Sequence, residues 1–266
     1  MTAYYCVTCG AQFAPADDPP SHCPVCEDER QYVPESGQRW TTLEELASDH
    51  RCEVRDEGPY TGLGVEPGFA IGQRALLVPL GERCLMWDCV PLVDDAGAAA
   101  VEARGGLAAI AISHPHYYTG MVEWARRSDC PVLLHADDAQ WIMRPDPCVE
   151  LWEGSVRSLG DGLTLIRCGG HFAGGTVLHD ERRNALLSGD IVQVIPDRRH
   201  VGFMYSYPNL IPLPEASVRR IAEALDPYAF ETIYGAWWGR VVPEDGKAVV
   251  ARSTERYAHA VRGELT

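Results

Sequence analysis

Hydrophobic and polar positions alternate along most of the chain in short blocks that predict strands and helices in turn. Two apolar runs around a short turn, 75–80 and 84–90, predict a β-hairpin. Further strands are predicted at 107–112, 131–134, 163–168, 176–179, 185–188 and 232–234. Helices are predicted at 41–47, 94–104, 119–127, 137–143, 215–225 and 248–262. The alternation predicts an α/β (α+β) sandwich of sheets covered by helices, with a glycine-rich loop from Gly58 to Gly72.

The composition is that of a globular protein with an acidic surface. The chain has 266 residues, enough for a large domain and a small module, and a net charge of −15. Because such a surface repels phosphate backbones, nucleic acid is not expected as a partner. No apolar run reaches the roughly 18 residues of a membrane span, and the N-terminus lacks the basic and apolar regions of a signal peptide. We therefore expect a cytoplasmic protein that acts on a small-molecule substrate, with no membrane partner.

Two Cys-x-x-Cys pairs lie within residues 1–34, which we predict to form a separate small module. Cys6 and Cys9 form the first pair, and Cys23 and Cys26 form the second. Each pair offers two thiolates to one cation, and four thiolates close a tetrahedral site with no open position. Such a site is structural or electron-transferring rather than hydrolytic. The other six of the ten cysteines are expected to be small buried residues.

The cysteine motifs of this module, Cys-x-x-Cys-Gly and Cys-Pro-x-Cys, resemble those of zinc ribbons. They also resemble those of the short rubredoxin-like domains that are attached to some iron enzymes. The first resemblance implies Zn²⁺ in the module and the second implies iron, and both remain open. Residues 35–67 are predicted to be a linker with a short helix, and residues 68–266 to be the main domain.

Candidate metal ligands follow three of the predicted strands. They are the pair His114 and His116, then His171 after two glycines, and Asp190 after Gly189. Polar side chains at the ends of different strands can converge on one point, and the glycines let the backbone turn sharply beside it. Three imidazoles and one carboxylate suit Zn²⁺, Fe²⁺ or Mn²⁺. The sequence therefore predicts a metal site of three histidines and one aspartate.

These motifs resemble those of the metallo-β-lactamase superfamily over about residues 68–262. The resemblance implies an αββα sandwich with the site at one edge, between the two sheets. It also implies that the three histidines hold one metal ion, with Asp190 as a fourth ligand or as an anchor behind the ligands.

Three positions depart from the family's pattern, and all three belong to its second metal. They are Tyr118 in place of an aspartate, Thr119 in place of a histidine, and Trp237 in place of the last histidine. The resemblance therefore implies a single-metal site. In such a site Tyr118, and to a lesser extent Tyr117, can donate to a leaving group or an oxyanion, or the two can fill the volume of the missing metal.

Other residues are candidates for the surroundings of this site. Asp88 ends a predicted strand at the same edge. We expect it either to support a metal ligand from outside the coordination sphere or to be a simple turn residue. Tyr205 belongs to an aromatic, proline-rich segment, 203–214, which can form a pocket wall or pack on the core. Trp237 is a further candidate for the pocket.

The function we favour from the sequence is that of a metal-dependent hydrolase with a mononuclear site that holds Zn²⁺, or else Fe²⁺ or Mn²⁺. The metal would activate water against an ester, thioester, amide or lactone, and Asp190 would orient that water. The first alternative is a mononuclear iron oxidoreductase, such as a dioxygenase, with a rubredoxin-like electron-transfer module. The second is a non-catalytic protein with a structural metal site. The module can dock on its own chain or on a neighbouring subunit, so a homo-oligomer also stays open.

Overall fold

The computed structural model describes residues 1–264, which contain nineteen strands, six α-helices and two 3-10 helices. The strands are β1 (Tyr4–Cys6), β2 (Trp40–Thr42), β3 (Arg51–Glu57), β4 (Tyr60–Glu66), β5 (Ala75–Leu80), β6 (Arg83–Trp87), β7 (Leu107–Ala111), β8 (Val132–His135), β9 (Val149–Trp152), β10 (Val156–Gly160), β11 (Leu163–Arg167), β12 (Thr176–Asp180), β13 (Ala185–Gly189), β14 (Gln193–Val194), β15 (Val201–Gly202), β16 (Met204–Ser206), β17 (Ile211–Pro212), β18 (Thr232–Gly235) and β19 (Val241–Val242). The helices are α1 (Pro24–Glu27), α2 (Leu43–Asp49), α3 (Asp95–Glu102), α4 (Met121–Ser128), α5 (Glu215–Leu225) and α6 (Gly246–Val261), and the 3-10 helices span Pro115–Tyr117 and Ala136–Trp141.

Two large sheets form the centre of the main domain. The first has seven strands in the order β3-β4-β5-β6-β7-β8-β9, and the second has six in the order β10-β11-β12-β13-β18-β19. One apolar cluster fills the space between the sheets. A second cluster lies between the first sheet and helices α3 and α4, and a third lies between the second sheet and helices α5 and α6. These layers confirm the predicted αββα sandwich.

Strand β5 shows why the apolar runs of this sequence become central strands. Successive side chains of a strand point to opposite faces. Leu77 therefore joins the cluster under the helices, whereas Leu76 and Val78 join the cluster between the sheets. Because both faces are covered, the strand is apolar almost throughout rather than alternating with polar residues.

The predicted loop from Gly58 to Gly72 is wrong in its first half, because residues 60–66 form strand β4, which pairs with β3 and β5. The glycines of this strand do not form a turn. They allow a tryptophan side chain to pack closely against the strand. A Cβ atom added to Gly62 would lie 2.4 Å from the indole of Trp238, and one added to Gly64 would lie 2.7 Å from it. The indole lies flat against the strand only because both positions lack a side chain.

The predicted domain boundaries need a corresponding correction. The seven-stranded sheet begins with β3 at Arg51, so two of its strands lie inside residues 35–67, which were predicted to be a linker and a helix. The N-terminal module, called the ribbon below, extends past residue 34, because β2 at Trp40–Thr42 pairs with β1. The last two residues of the predicted main domain, 265 and 266, lie outside the described residues.

The predicted helices are found near their expected positions, and α5 has the predicted bounds of 215–225. Thr42 begins α2 with a capping box, in which its side chain accepts from the Glu45 N–H while the Glu45 side chain accepts from the Thr42 N–H. The short helix expected at 137–143 is a 3-10 helix. In the described part of the chain, no helix combines the length and the apolar character that a membrane crossing requires.

Candidate metal centre

The loop that follows β7 carries the first two histidines. The Asp88 carboxylate, which follows β6, accepts a 2.8 Å hydrogen bond from the Ser113 N–H. The Ser113 hydroxyl lies 2.9 Å from Nδ1 of His114 and therefore fixes the imidazole with Nε2 facing the site. Gly189 makes this packing possible, because a Cβ atom there would lie 2.6 Å from the Ser113 hydroxyl.

The third histidine and the aspartate arrive from the second sheet. Nδ1 of His171 lies 2.7 Å from the backbone oxygen of Tyr205. Because that oxygen can only accept, Nδ1 carries the proton and Nε2 keeps a free lone pair. This Nε2 lies 3.2 Å from Nδ1 of His116, and Nε2 of His114 lies 3.3 Å from Oδ1 of Asp190. The three histidines therefore meet at one point between the two sheets, and Asp190 lies beside His114.

The geometry of these four residues fits one bound cation. Nitrogen or oxygen ligands at about 2.0–2.1 Å from a tetrahedral ion lie roughly 3.4 Å from one another, close to the two separations observed here. The Nε2 atom of His114 and the Oδ1 atom of Asp190 are buried and have no hydrogen-bond partner among the described residues. Both atoms would gain a partner in a cation.

The protonation states also suit a metal site. Burial lowers the pKa of His114 and of His116 well below the usual value, and it lowers the pKa of His171 to about 4. The three imidazoles are therefore neutral at pH 7 and offer lone pairs. Burial, and next the carboxylate of Asp88, raise the pKa of Asp190 to about 8. A cation beside Asp190 favours its ionised form and so offsets this effect.

Tyr117, rather than Tyr118, faces the centre. Its ring contacts His114 with centroids 4.3 Å apart, and burial together with the carboxylates of Asp190 and Asp88 raises the pKa of its hydroxyl. Residues three apart lie above one another in a 3-10 helix, and His114 and Tyr117 are related in this way around Pro115–Tyr117. Tyr118 therefore points elsewhere.

Tyr118, which was predicted to be catalytic, is a core residue on the ribbon side of the loop. Its hydroxyl has a pKa raised by burial and by Asp138, with no contribution from Asp190. Its backbone oxygen accepts from the Gln12 N–H of the ribbon at 3.3 Å. The structure therefore does not bring Tyr118 to the metal ligands, which corrects the expectation that its phenol acts on a leaving group.

The positions of the family's second metal hold no alternative ligands. Among residues 1–264, two groups of three or more His, Cys, Asp or Glu side chains are close enough to share an ion, namely the three histidines and the four cysteines. The Trp237 indole donates a 3.0 Å hydrogen bond to the backbone oxygen of Ile71. This bond fixes the ring at the side of the site, where it offers no metal ligand. Within residues 1–264, the structure therefore shows no second group of candidate ligands beside the three histidines.

The four cysteines of the ribbon form the second candidate metal site. The Sγ atoms of Cys6 and Cys26 are 3.6 Å apart, and those of Cys9 and Cys23 are 3.7 Å apart. These separations are too long for disulfide bonds. Thiolates at about 2.3 Å from one tetrahedral ion lie roughly 3.8 Å apart, so the set fits a closed metal site. All four side chains are buried.

A cavity of about 280 Å³ lies over the histidines and is partly made by the ribbon. The ribbon contributes Thr8, Gln31 and Tyr32. The candidate metal ligands that reach the cavity are His116, His171 and Asp190. Ile71, Tyr207 and Trp237 belong to the remaining walls. The ribbon therefore docks on the centre of its own chain.

Comparison with known proteins establishes the family of this chain. No family model matches it. The Bacillus subtilis (strain 168) protein described as "Uncharacterized protein YmaE" is 43% identical over 272 residues, which cover 100% of this chain and 99% of that protein. This chain belongs to the YmaE family.

Solved structures show that the fold of this YmaE-family chain is that of metallo-β-lactamases. The DIM-1 metallo-β-lactamase exposed to ceftazidime matches 79% of this chain and 98% of its own, with a TM-score of 0.61 and 12% identity. The mono-zinc form of FIM-1 from Pseudomonas aeruginosa matches 77% of this chain and 95% of its own, with a TM-score of 0.57 and 14% identity. At these identities the likeness establishes the fold alone.

Arg30 fixes the ribbon of this YmaE-family protein to the histidine loop. Its guanidinium lies 4.0 Å from the ring centroid of Phe172 and 5.3 Å from that of Tyr205, and it donates to the His171 backbone oxygen at 3.4 Å. Asp28 pairs with the same guanidinium at 2.6 Å. Sequence reasoning missed Arg30 and Gln31, because no local pattern indicates which surface a ribbon will cover.

Proposed function

We propose that this protein is a metal-dependent hydrolase with one catalytic ion, Zn²⁺, held by His114, His116, His171 and Asp190. The observation that carries the proposal is the meeting of three neutral imidazoles beneath a cavity, with the Asp190 carboxylate beside His114 and with buried atoms of both residues lacking a hydrogen-bond partner among residues 1–264. A closed structural site would not need such a cavity, whereas a catalytic site needs room for water and substrate.

The residues of the centre have separable roles in such a reaction. A bound Zn²⁺ supplies a Lewis acid for a carbonyl group and lowers the pKa of water to about 7. The other carboxylate oxygen of Asp190, which does not face the cation, would orient the attacking water and take its proton. The Tyr207 hydroxyl donates to the backbone oxygen of Asp190 at 2.6 Å and so holds this residue in place. Tyr117, packed on His114, is a positioning residue for that imidazole.

The substrates that fit this centre are carbonyl compounds, namely esters, thioesters, amides or lactones. A phosphodiester is less well supported, since two-metal clamping of the phosphate is absent from this proposal and the net charge is −15. Because solved neighbours are metallo-β-lactamases, β-lactams are one amide subclass to include among the substrates tested.

A second candidate is a mononuclear iron oxidoreductase. It is favoured by one observation, that the four-cysteine ribbon lies directly over the cavity of the three histidines. In this case the ribbon holds iron and passes electrons to the centre. The two candidates predict different metals and different colours of the purified protein.

The test combines metal analysis with a substrate panel. The hydrolase proposal predicts a colourless protein with zinc, and hydrolysis of at least one class of neutral ester, thioester, amide or lactone. His171→Ala should abolish this hydrolysis, whereas His259→Ala, at an exposed position on α6, should retain it. Iron in both sites with visible absorption would favour the oxidoreductase. Equal activity in the wild type and His171→Ala would contradict both catalytic proposals.

A further inference from the structure

We infer that Gln38 completes the metal site of the ribbon by donating a hydrogen bond from its side-chain amide to the thiolate of Cys6. The bond forms when the four cysteines hold a cation, and it strengthens the retention of that cation. This inference goes beyond the proposed hydrolase function, and it applies whether the ribbon holds zinc or iron.

The carboxamide of Gln38 lies directly against one of the four ligand atoms. Its Oε1 atom is 3.4 Å from Sγ of Cys6, a contact in which the thiol donates and the oxygen accepts. Within residues 1–264, Cys6 is the ribbon cysteine whose sulfur contacts a polar side chain other than the remaining cysteines. Because the Cys6 side chain is fully buried, water does not replace this partner.

The nitrogen of the same carboxamide is unpaired. Nε2 of Gln38 is buried and has no hydrogen-bond partner among residues 1–264, although it carries two N–H donors. Once Cys6 binds a cation its sulfur has no proton, so Oε1 and Sγ become two acceptors in contact. Half a turn of the carboxamide exchanges oxygen and nitrogen in place and converts this repulsion into a charge-assisted N–H···S bond. The oxygen then takes the unpaired position, but the site has gained a hydrogen bond to a charged atom.

The backbone on both sides of Gln38 fixes its position beside Cys6. Before it, Gly37 has a φ of 83°, a left-handed conformation that favours glycine, in a turn closed by its own N–H. After it, the Arg39 backbone oxygen accepts from the Val7 N–H at 3.0 Å, where β2 pairs with β1. Gln38 belongs to the segment that was predicted to be a linker, and the pairing of these two strands brings it to the metal site.

The hydrogen bond acts on the ion through the charge of the sulfur. A thiolate that accepts an N–H donor is stabilised as the charged, metal-binding form. Removal of such a partner behind a metal ligand typically costs about 10- to 100-fold in metal affinity. A carboxylate at the same place has the opposite effect, because it puts a second negative charge beside the thiolate. Glutamate has nearly the shape of glutamine, so charge and shape predict different outcomes for Gln38→Glu.

Competition between a chelator and the Co²⁺-loaded full chain tests the inference. The sulfur-to-cobalt charge-transfer band reports the ribbon alone, because the histidine group contains no cysteine. We expect Gln38→Leu to bind the ribbon Co²⁺ about 10- to 100-fold more weakly than the wild type, and Gln38→Glu to bind it more weakly still. The band should also move to longer wavelength in Gln38→Leu, since a thiolate without its donor gives up charge more readily. Gln140→Leu and Gln140→Glu, at an exposed position, should match the wild type.

Two results would overturn the inference: an affinity and a band position in Gln38→Leu equal to those of the wild type, or a Gln38→Glu variant that binds Co²⁺ at least as tightly as Gln38→Leu. The second result is what a side chain that only fills space would give. Circular dichroism establishes that the variants are folded, and if leucine disturbs the fold, the comparison of Gln38→Glu with the wild type decides. Because the measurement is of metal binding in the ribbon, a protein that hydrolyses nothing still tests Gln38.

Discussion

Replacement of Arg30 by methionine should release the ribbon from the histidine loop. The variant loses the hydrogen bond from the guanidinium to the His171 backbone oxygen, and hydrogen bonds to charged groups contribute roughly 1.5–3 kcal/mol. It also loses the contact of the cation with the Phe172 ring at 4.0 Å, worth roughly 0.5–2 kcal/mol. Because such contributions are not additive and methionine retains part of the packing, we expect a loss of about 2–4 kcal/mol.

Equilibrium urea unfolding of the metal-loaded chain measures this loss, and a colorimetric chelator measures how fast the ribbon releases its metal. Arg199→Met is a matched control, because Arg199 pairs with Asp197 at the same sequence spacing but is 80% exposed. We expect the control to unfold like the wild type. Equal stability of Arg30→Met and the wild type would refute the view that Arg30 holds the ribbon in place.

The same variant should change the response to acid. Burial alone would raise the pKa of Asp28, but hydrogen bonds from Arg30 lower it below the usual value. A carboxylate with a lowered pKa in the folded state stabilises the protein above its unfolded pKa, and this stabilisation disappears as the pH falls through the folded value. Arg30→Met lacks this contribution already at neutral pH, so the difference in stability between it and the wild type should shrink as the pH falls below about 4, as measured by urea unfolding at a series of pH values.

Three further variants test the packing around the centre. Gly62→Ala places a methyl group against the indole of Trp238 and should lower the free energy of unfolding by roughly 1–3 kcal/mol in urea. Glu123→Ala leaves the buried guanidinium of Arg144 without its partner and should cost roughly 3–5 kcal/mol in the same assay. Cys26→Ser should remove the ribbon metal, as measured by mass spectrometry, because three thiolates leave the tetrahedral site incomplete.

Matched controls accompany these variants. Gly68→Ala places a methyl group in open space, and Glu102→Ala removes an ion pair at the surface. Cys148→Ser changes a cysteine outside the ribbon. If a control variant shows as large a change in the measured quantity as its counterpart, the structural explanation given for that counterpart is wrong.

The local patterns of the sequence predicted the strands and the positions of the candidate metal ligands at the strand ends, because both depend on neighbouring residues. The apolar run 107–112 predicted a buried strand, and the structure has β7 at Leu107–Ala111 with His114 just beyond it. The glycines before His171 and Asp190 likewise predicted sharp turns, and Gly189 has a positive φ of 55°.

The features that the sequence did not predict depend on residues far apart in the chain. The glycines of β4 resembled a loop because the indole that covers them belongs to Trp238, near the other end of the protein. Which of Tyr117 and Tyr118 faces the candidate metal ligands depends on whether the loop is a 3-10 helix or extended, and the sequence did not indicate this. The docking of the ribbon rests on contacts such as Arg30 with Phe172, which appear only once the whole fold is formed.

The most direct test of the central claim is the metal content of the purified wild-type protein, measured by mass spectrometry alongside His114→Ala. One ion in the ribbon and one on the histidines predict about two metal ions per chain in the wild type and about one in the variant. Three ions per chain in the wild type, or an unchanged content in His114→Ala, would contradict a single cation on His114, His116, His171 and Asp190.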